Sequence, residues 1–252
     1  MRLSVYCGSC SATTPGSSAD HMIALSVIVP TLNEAGGIVG HLTALQPLRR
    51  RGSEVIVVDG GSVDDTPKLA APLADRVIAA RRGRAAQMNA GSRYAQGDVL
   101  LFLHADTRLP VSADSLLAKA LVDERWLWGR FDVVIEGTHP LLRLVAWAMN
   151  RRSRLTGIVT GDQALFVRRD AFGKVGGFPE LPLMEDIALS RSLKCLGRPL
   201  CLSERVVTSG RRWEQRGVLR TIVLMWRLRA WYWLGADPSR LAKTYAAASP
   251  ER

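Results

Sequence analysis

Residues 25–34 read LSVIVPTLNE, an apolar run closed by Pro30, Thr31, Leu32 and a polar pair ending in Glu34. A continuous apolar run of this length is the signature of a parallel strand buried on both faces. Its abrupt stop puts a carboxylate and free backbone groups at the strand's carboxyl end, where open α/β sheets bind ligands. The same grammar returns at residues 54–66, EVIVVDGGSVDDT, in which a buried strand ends at Asp59 before two glycines and an acidic pair. A third instance, residues 98–107, DVLLFLHADT, is closed by His104, Ala105 and Asp106. Segments 36–48, 66–73 and 84–95 between these strands carry helical spacing. The alternation predicts a Rossmann-like α/β sheet, mixed but mostly parallel and flanked by helices, with a nucleotide pocket along its strand ends.

With 252 residues, 47% hydrophobic and 23% charged, the chain can bury one sizeable core. A net charge of +11 implies an anionic partner of some kind. The basicity is local: Arg151, Arg152 and Arg154 form one cluster, and seven arginines fall between positions 205 and 229. Nucleic acid ranks below a small molecule as that partner. There is no helix-turn-helix signature, zinc spacing or aromatic RNA-binding motif, and acidic strand ends repel a polyphosphate that lacks a cation.

No apolar run reaches the roughly 18 residues a membrane-spanning helix needs. Residues 216–234, RGVLRTIVLMWRLRAWYWL, mix arginines with Trp226, Trp231, Tyr232 and Trp233. This C-terminal amphipathic helix suits either burial, in the core or between two subunits, or a peripheral place on a membrane surface. Residues 1–21 are rich in Ser, Gly and Thr without a basic-then-apolar signal pattern and read as a leader. The expected division is therefore a leader at 1–21, a catalytic domain at 22–217 and a helical segment at 218–252. The lone Cys7/Cys10 pair lacks the partners of a metal site. Cys195 and Cys201 read as reduced packing residues of a cytoplasmic protein.

The segments VIVPTLNE, VVDGGSVDDT, GRAAQMNAG, LLFLHADT, GDQALFVRR and MEDIALSRSL, in this order, resemble the family 2 glycosyltransferases with the GT-A fold. More narrowly, the His-Ala-Asp triplet, GDQALF and TSGRRWEQRG resemble the branch of radical-SAM or selenodomain-associated transferases. That branch includes a selenosugar synthase, which joins a nucleotide-activated sugar to selenophosphate.

The resemblance implies a UDP-sugar donor lying across the first strand ends. Asp59 and Glu34 would then meet the base or ribose and Pro30 and Leu32 would frame the base; otherwise Asp59 shapes a turn and Glu34 caps a helix. Arg84, at a helix start, faces the phosphates, while Gln87 either faces the sugar or caps backbone. Asp106 would hold Mg2+ or Mn2+ against the diphosphate. The family's usual Asp-X-Asp is His104-Ala105-Asp106 here, so His104 is a metal ligand, a hydrogen-bond partner of the sugar or a strand-end histidine. Asp162 would line the acceptor site or cap a strand. Asp186 would be the general base of an inverting transfer, with Glu185 orienting it or substituting for it; two acids also suit a helix amino terminus.

Selenophosphate is already anionic and needs no strong base, but it does need cations near Asp186. Arg151, Arg152 and Arg154, placed in the loop before Gly161, would grip it. Arg212 and Trp213 resemble the end of a motif that lies over the donor diphosphate, Trp213 otherwise packing on the sheet. The leading expectation is transfer of a hexose or N-acetylhexosamine to a small anionic acceptor. The alternatives are transfer to a lipid or sugar hydroxyl at a membrane surface, a nucleotidyltransferase, and a sugar-nucleotide binding module without catalysis. Against the nucleotidyltransferase stands the absence of a Gly-rich basic loop after the first strand. Against the binding module stand the retained helix acids.

Overall fold

The computed structural model describes residues 23–248. The chain runs β1 (Leu25–Thr31), α1 (Ile38–Arg50), β2 (Glu54–Asp59), α2 (Thr66–Ala70), β3 (Arg76–Ala79), α3 (Arg84–Tyr94) and β4 (Val99–Phe102). It continues through β5 (Thr107–Arg108), α4 (Ala113–Ala120), β6 (Trp128–Glu136), α5 (Leu141–Thr156), a 3-10 turn (Gly161–Gln163), β7 (Phe166–Arg168), α6 (Arg169–Lys174) and α7 (Glu185–Lys194). Last come β8 (Leu200–Ser209), α8 (Arg211–Arg216), α9 (Val218–Trp233) and α10 (Pro238–Ala247). The leader and the Cys7/Cys10 pair lie outside the described residues.

The eight strands form one sheet in the order β3-β2-β1-β4-β7-β6-β8-β5. The first four are parallel, β7 runs antiparallel to both β4 and β6, and β8 returns parallel to β6. The alternation of side chains explains the continuous apolar runs. Val27 and Val29 of β1, Val55 and Val57 of β2 and Leu101 of β4 face the core under α1, α4 and α5. Ile28, Ile56, Leu100 and Phe102 face the opposite core, filled by Met88, Phe172, Phe178, Leu189 and Leu193. Both faces are covered, so an unpartnered polar side chain at either register position would be costly; the buried Ser26 of β1 is paired with Glu54 and the Gly97 amide. The α3 helix lies so close to the sheet that a Cβ on Gly91 would sit 2.5 Å from Ile28 Cγ2.

The mixed, helix-flanked sheet is the expected architecture, and α1 to α3 fall where helical spacing placed them. Two expectations are corrected. Residues 151, 152 and 154 belong to the last two turns of α5 rather than to a loop, because the helix continues to Thr156 and ends on left-handed Gly157 (φ 68°). Cys195 is exposed rather than packed. The edge strand β3 had no counterpart in the sequence reading, since its four residues are half-buried to exposed and carry no run of apolar side chains.

At the C-terminus α9 and α10 make a small core of their own. Leu228 and Leu241 are buried against Ile158, Met184 and Ile187, which ties both helices to the start of α7. Among the described residues no helix is long and apolar enough to cross a membrane.

Candidate active site

The loops after β1 and β2 are clipped together by their own polar side chains. Asn33, in a left-handed conformation (φ 53°), accepts from the Val63 amide at 2.9 Å and donates its own amide to Ser62 Oγ at 2.9 Å. The Glu34 amide donates to Thr66 Oγ1 (2.8 Å) and the Ala35 amide to Asp64 (3.1 Å). Asp59 accepts from the amides of Gly61 (3.0 Å) and Ser62 (2.9 Å) and from the Ser62 hydroxyl. Its carboxylate thus shapes the turn after β2, and Asp59 is absent from the lining of the cleft beside it. Gln87 is buried, and its amide donates to the carbonyls of Thr31 and Val58, both at 2.8 Å. Of the two expectations for Gln87, the structure displays the backbone link.

Two adjoining cavities open along the strand ends. One is lined by Pro30, Leu32, Glu34, Arg82 and Gln87. The other is lined by Thr160, Asp162, Asp186, Trp213, Met225 and Arg229. Arg84, His104, Asp106, Glu185, Arg212 and Tyr245 line both, so the two are one cleft with these side chains at its waist. The expected donor and catalytic residues are brought together here apart from Asp59, although they come from six separated segments of the chain. Trp213 packs against the sheet core and lines the recess that contains Thr160 and Asp186, not the one beside Pro30 and Glu34.

His104 leaves the end of β4 and lies over the backbone of Gly161, where any Cβ would collide with the imidazole ring. Its Nδ1 is 3.4 Å from Asp162 Oδ1. Burial works to raise the Asp162 pKa, but the His104 hydrogen bond and the charges of His104, Arg84 and Arg212 outweigh it and hold this carboxyl below its usual range. Arg84 is the converse. Desolvation opposes its charge, yet Glu185, Asp162 and Asp186 keep the guanidinium firmly protonated.

Met184 adopts a left-handed conformation (φ 68°) immediately before α7, and strain of this kind at a cleft is a frequent companion of function. It turns Glu185 and Asp186 into the cleft on the first turn of the helix. Asp186 accepts from the Gly161 amide (3.1 Å) and from the Ile187 amide (2.7 Å), which fixes its carboxylate at the acceptor side. Glu185 is buried, and burial first and the neighbouring Asp186 charge second push its carboxyl above the usual range. One acid is therefore anchored by two backbone amides while its neighbour is biased towards the proton-carrying form.

The arginine cluster separates. Arg154 makes a two-pronged ion pair with Asp132 (2.7 and 2.8 Å), and Arg151 is exposed; neither lines the cleft. Both are corrected as acceptor contacts, because the helical turn directs them to other faces of α5. Arg152 alone reaches the cleft wall, with Nη2 3.4 Å from Thr160 Oγ1. Sequence reasoning missed Thr160, Arg229 and Tyr245 as neighbours of the site. Arg229 was visible within the basic 205–229 stretch, but nothing in the sequence says which face of α9 meets the cleft.

For a divalent cation the donors at the waist are Asp106 and His104. Among the described residues no three His, Cys, Asp or Glu side chains converge as a complete cage. Mg2+ in nucleotide sites is commonly bound by one or two carboxylates plus substrate phosphates, and Asp106, with Glu185 as the other carboxylate of the waist, fits that mode.

The sequence profile of glycosyl transferase family 2 matches residues 26–175. A PGL/p-HBAD biosynthesis glycosyltransferase of Mycobacterium tuberculosis (strain ATCC 25177 / H37Ra) is 34% identical over 167 residues, 61% of this chain and 62% of the relative. The chain thus spans under two thirds of the length of that relative. Among solved structures, Staphylococcus aureus TarS (residues 1–349) in complex with UDP-GlcNAc superposes with a TM-score of 0.61 at 20% identity, over 74% of this chain and 58% of that one. The Pyrobaculum calidifontis mannosyltransferase PcManGT, bound to GDP-Man and Mn2+, gives 0.59 at 22% identity, over 90% and 74%. These likenesses establish the shared GT-A architecture, and the profile match across well over half of the sequence establishes kinship: the chain belongs to glycosyl transferase family 2.

Proposed function

We propose that the protein transfers a hexose or N-acetylhexosamine from a UDP-sugar, with inversion at the anomeric carbon, to a small anionic acceptor. Selenophosphate is the best candidate acceptor, giving a selenosugar with an Se-glycosidic bond. The observation that carries this reading is the continuity of the cleft. A recess at the ends of β1 and β4 runs through a cationic waist at Arg84 and Arg212 into a second recess edged by Asp186. Solved relatives of the same fold hold UDP-GlcNAc, or UDP with glucosyl-3-phosphoglycerate and Mn2+.

In this reading Pro30, Leu32 and Glu34 surround the nucleoside, with Asp59 acting from the turn behind, and Arg84 and Arg212 neutralise the diphosphate. Asp106, with His104 beside it, would hold Mg2+ or Mn2+, which when bound supplies positive charge to the departing UDP. The acceptor attacks the anomeric carbon from the face opposite the leaving group, the carbon–oxygen bond to the diphosphate breaks, and its electron pair leaves with UDP. Asp186 receives the proton where the acceptor carries one. For an acceptor that arrives as an anion, Asp186 orients rather than deprotonates. Asp162 holds sugar hydroxyls beside His104.

The test is incubation with UDP-glucose or UDP-N-acetylglucosamine, with and without selenophosphate and Mg2+, following UDP release and product mass. UDP released only with selenophosphate, together with a product carrying selenium, is the expected result. A purified protein that binds neither UDP nor its conjugates in the presence of divalent ions refutes the reading. Asp186→Asn should lower kcat by about two orders of magnitude or more with a hydroxyl acceptor and much less with selenophosphate.

A second reading is favoured by the outer face of α9. Leu219, Val223, Trp226 and Trp233 are exposed, Trp226 to 71%, and Arg220 and Arg227 lie along one edge of the same helix. This suits a lipid-linked hydroxyl acceptor at a membrane surface, or pairing of two subunits through α9. Cosedimentation with anionic liposomes separates the first from the second, and sedimentation velocity reports the second directly.

A further inference from the structure

Two arginines at the acceptor end of the cleft carry charge that the fold does not spend. Arg152 projects from α5, near its C-terminal end, and Arg229 from α9. The Nε atoms of both are sealed from solvent and have no hydrogen-bond partner. Arg152 keeps one long bond, 3.4 Å from Nη2 to the Thr160 hydroxyl, and Arg229 makes none among the described residues. Arginines nearby but outside the cleft lining are paired. Arg130 and Arg154 share the Asp132 carboxylate. A buried guanidinium without partners is expensive, and folds retain one where a ligand completes it.

The electrostatics agree. Desolvation first and the like charge of Arg229 second pull Arg152 down to about 10, and burial lowers Arg229 as well. Asp186 and Asp162 oppose these shifts without cancelling them. The two guanidinium groups are therefore like charges set close together, with Asp186 and Asp162 compensating them only in part.

The space at Arg152 and Arg229 is distinct from the donor diphosphate's. Arg84 and Arg212 line both recesses, whereas Arg229 lines only the one that contains Thr160 and Asp186, and Arg152 stands behind Thr160. We propose that Arg152 and Arg229, together with the Thr160 hydroxyl, form an oxyanion subsite that grips the phosphoryl group of the acceptor beside Asp186. The occupant is a small, free phosphoryl anion, because planar guanidinium forks match tetrahedral oxyanions and the Nε atoms of both are sealed from solvent. The C-terminal helix α9 is then part of the acceptor site. The proposal rests on the glycosyl-transfer reading and specifies its acceptor.

The experiment is calorimetric titration of orthophosphate into UDP-saturated protein, with UDP affinity and melting temperature measured on the same samples. Wild type binds orthophosphate; Arg229→Met and Arg152→Met weaken it by about tenfold or more, with Arg229→Lys between. UDP affinity stays within about twofold of wild type. The melting temperature of Arg229→Met stays level or rises, since an unpaired buried charge is removed. Unchanged orthophosphate affinity in Arg229→Met overturns the proposal, as does wild type that binds no orthophosphate. A parallel loss of UDP affinity overturns it too, assigning both arginines to the donor. If wild type binds no UDP, the glycosyl-transfer reading fails by itself, and titration of unliganded protein still decides the subsite.

Discussion

Replacing Asp132 with alanine should destabilise the protein by about 3–5 kcal/mol. The size follows from what the carboxylate holds. Arg130 is fully buried, its Nε already lacks a partner, and its remaining contacts are Asp132 and the Asn150 carbonyl at 3.1 Å. Without Asp132 the guanidinium keeps one neutral acceptor in a place water does not reach. Arg154 sits on the same carboxylate, yet its side chain is 40% exposed. Arg154→Ala should therefore cost only about 0.2–1 kcal/mol, since water takes over its hydrogen bonds and Asp132 keeps Arg130. Urea unfolding of the two single variants measures both numbers. The reasoning fails if Asp132→Ala loses no more stability than Arg154→Ala. It fails equally if Arg154→Ala raises the acceptor KM while leaving stability untouched, because that would return Arg154 to the acceptor site.

Gly161→Ala should cut turnover by about tenfold to a hundredfold with little change in melting temperature, because the new methyl displaces the His104 imidazole from its place beside Asp162; steady-state kinetics checks it. Gln87→Leu should cost about 1–3 kcal/mol and weaken UDP binding, since its amide joins the ends of β1 and β2; chemical denaturation and calorimetry read the two effects. His41 is buried with its Nε2 unpartnered, and burial, partly offset by Asp106, lowers its pKa to about 4. Unfolding restores an ordinary value of 6.5. The unfolded chain therefore takes up the proton first as pH falls. The stability due to neutral His41 is complete above pH 6.5 and drains away towards pH 4, by about 3 kcal/mol in all. His41→Met should flatten that limb of the stability–pH curve, as monitored by urea unfolding between pH 4 and 7.

The parallel half of the sheet was legible because it is written locally. Buried strands announce themselves as apolar runs, and their polar stops fall where the cleft lies. Glu34, Asp106 and Asp186 were found in this way, each by its place at the end or start of an element. The rest depended on contacts that local spacing does not encode. Asp59 looked like a base ligand, yet its neighbours Gly61 and Ser62 supply enough donors to occupy it in a turn. Arg151, Arg152 and Arg154 were adjacent in sequence, but a helix rotates successive side chains by about 100° and sent them to three environments. Only tertiary packing of α9 on α7 could show that Arg229 shares a wall with Thr160.

The charges of the cleft are arranged by depth rather than in a uniform field. Arg84 and Arg212 at the waist lie among carboxylates, which strengthen Arg84's charge and let an incoming diphosphate displace part of an existing attraction. Further in, Arg152 is weakened by burial and by the like charge of Arg229, and Arg229 by burial, so an anion bound there would relieve a repulsion. Glu185 lies between these regions with a raised pKa, and positive charge added at the waist would draw its proton off. Donor and acceptor anions pull the other way, favouring the protonated acid. On the proposed reading, ligand charge, metal and pH are coupled through this one buried carboxyl. Glu185→Gln, which fixes the uncharged state, should uncouple the pH dependence of UDP affinity between pH 5 and 8 from the presence of divalent metal, and calorimetry at three pH values would show whether it does.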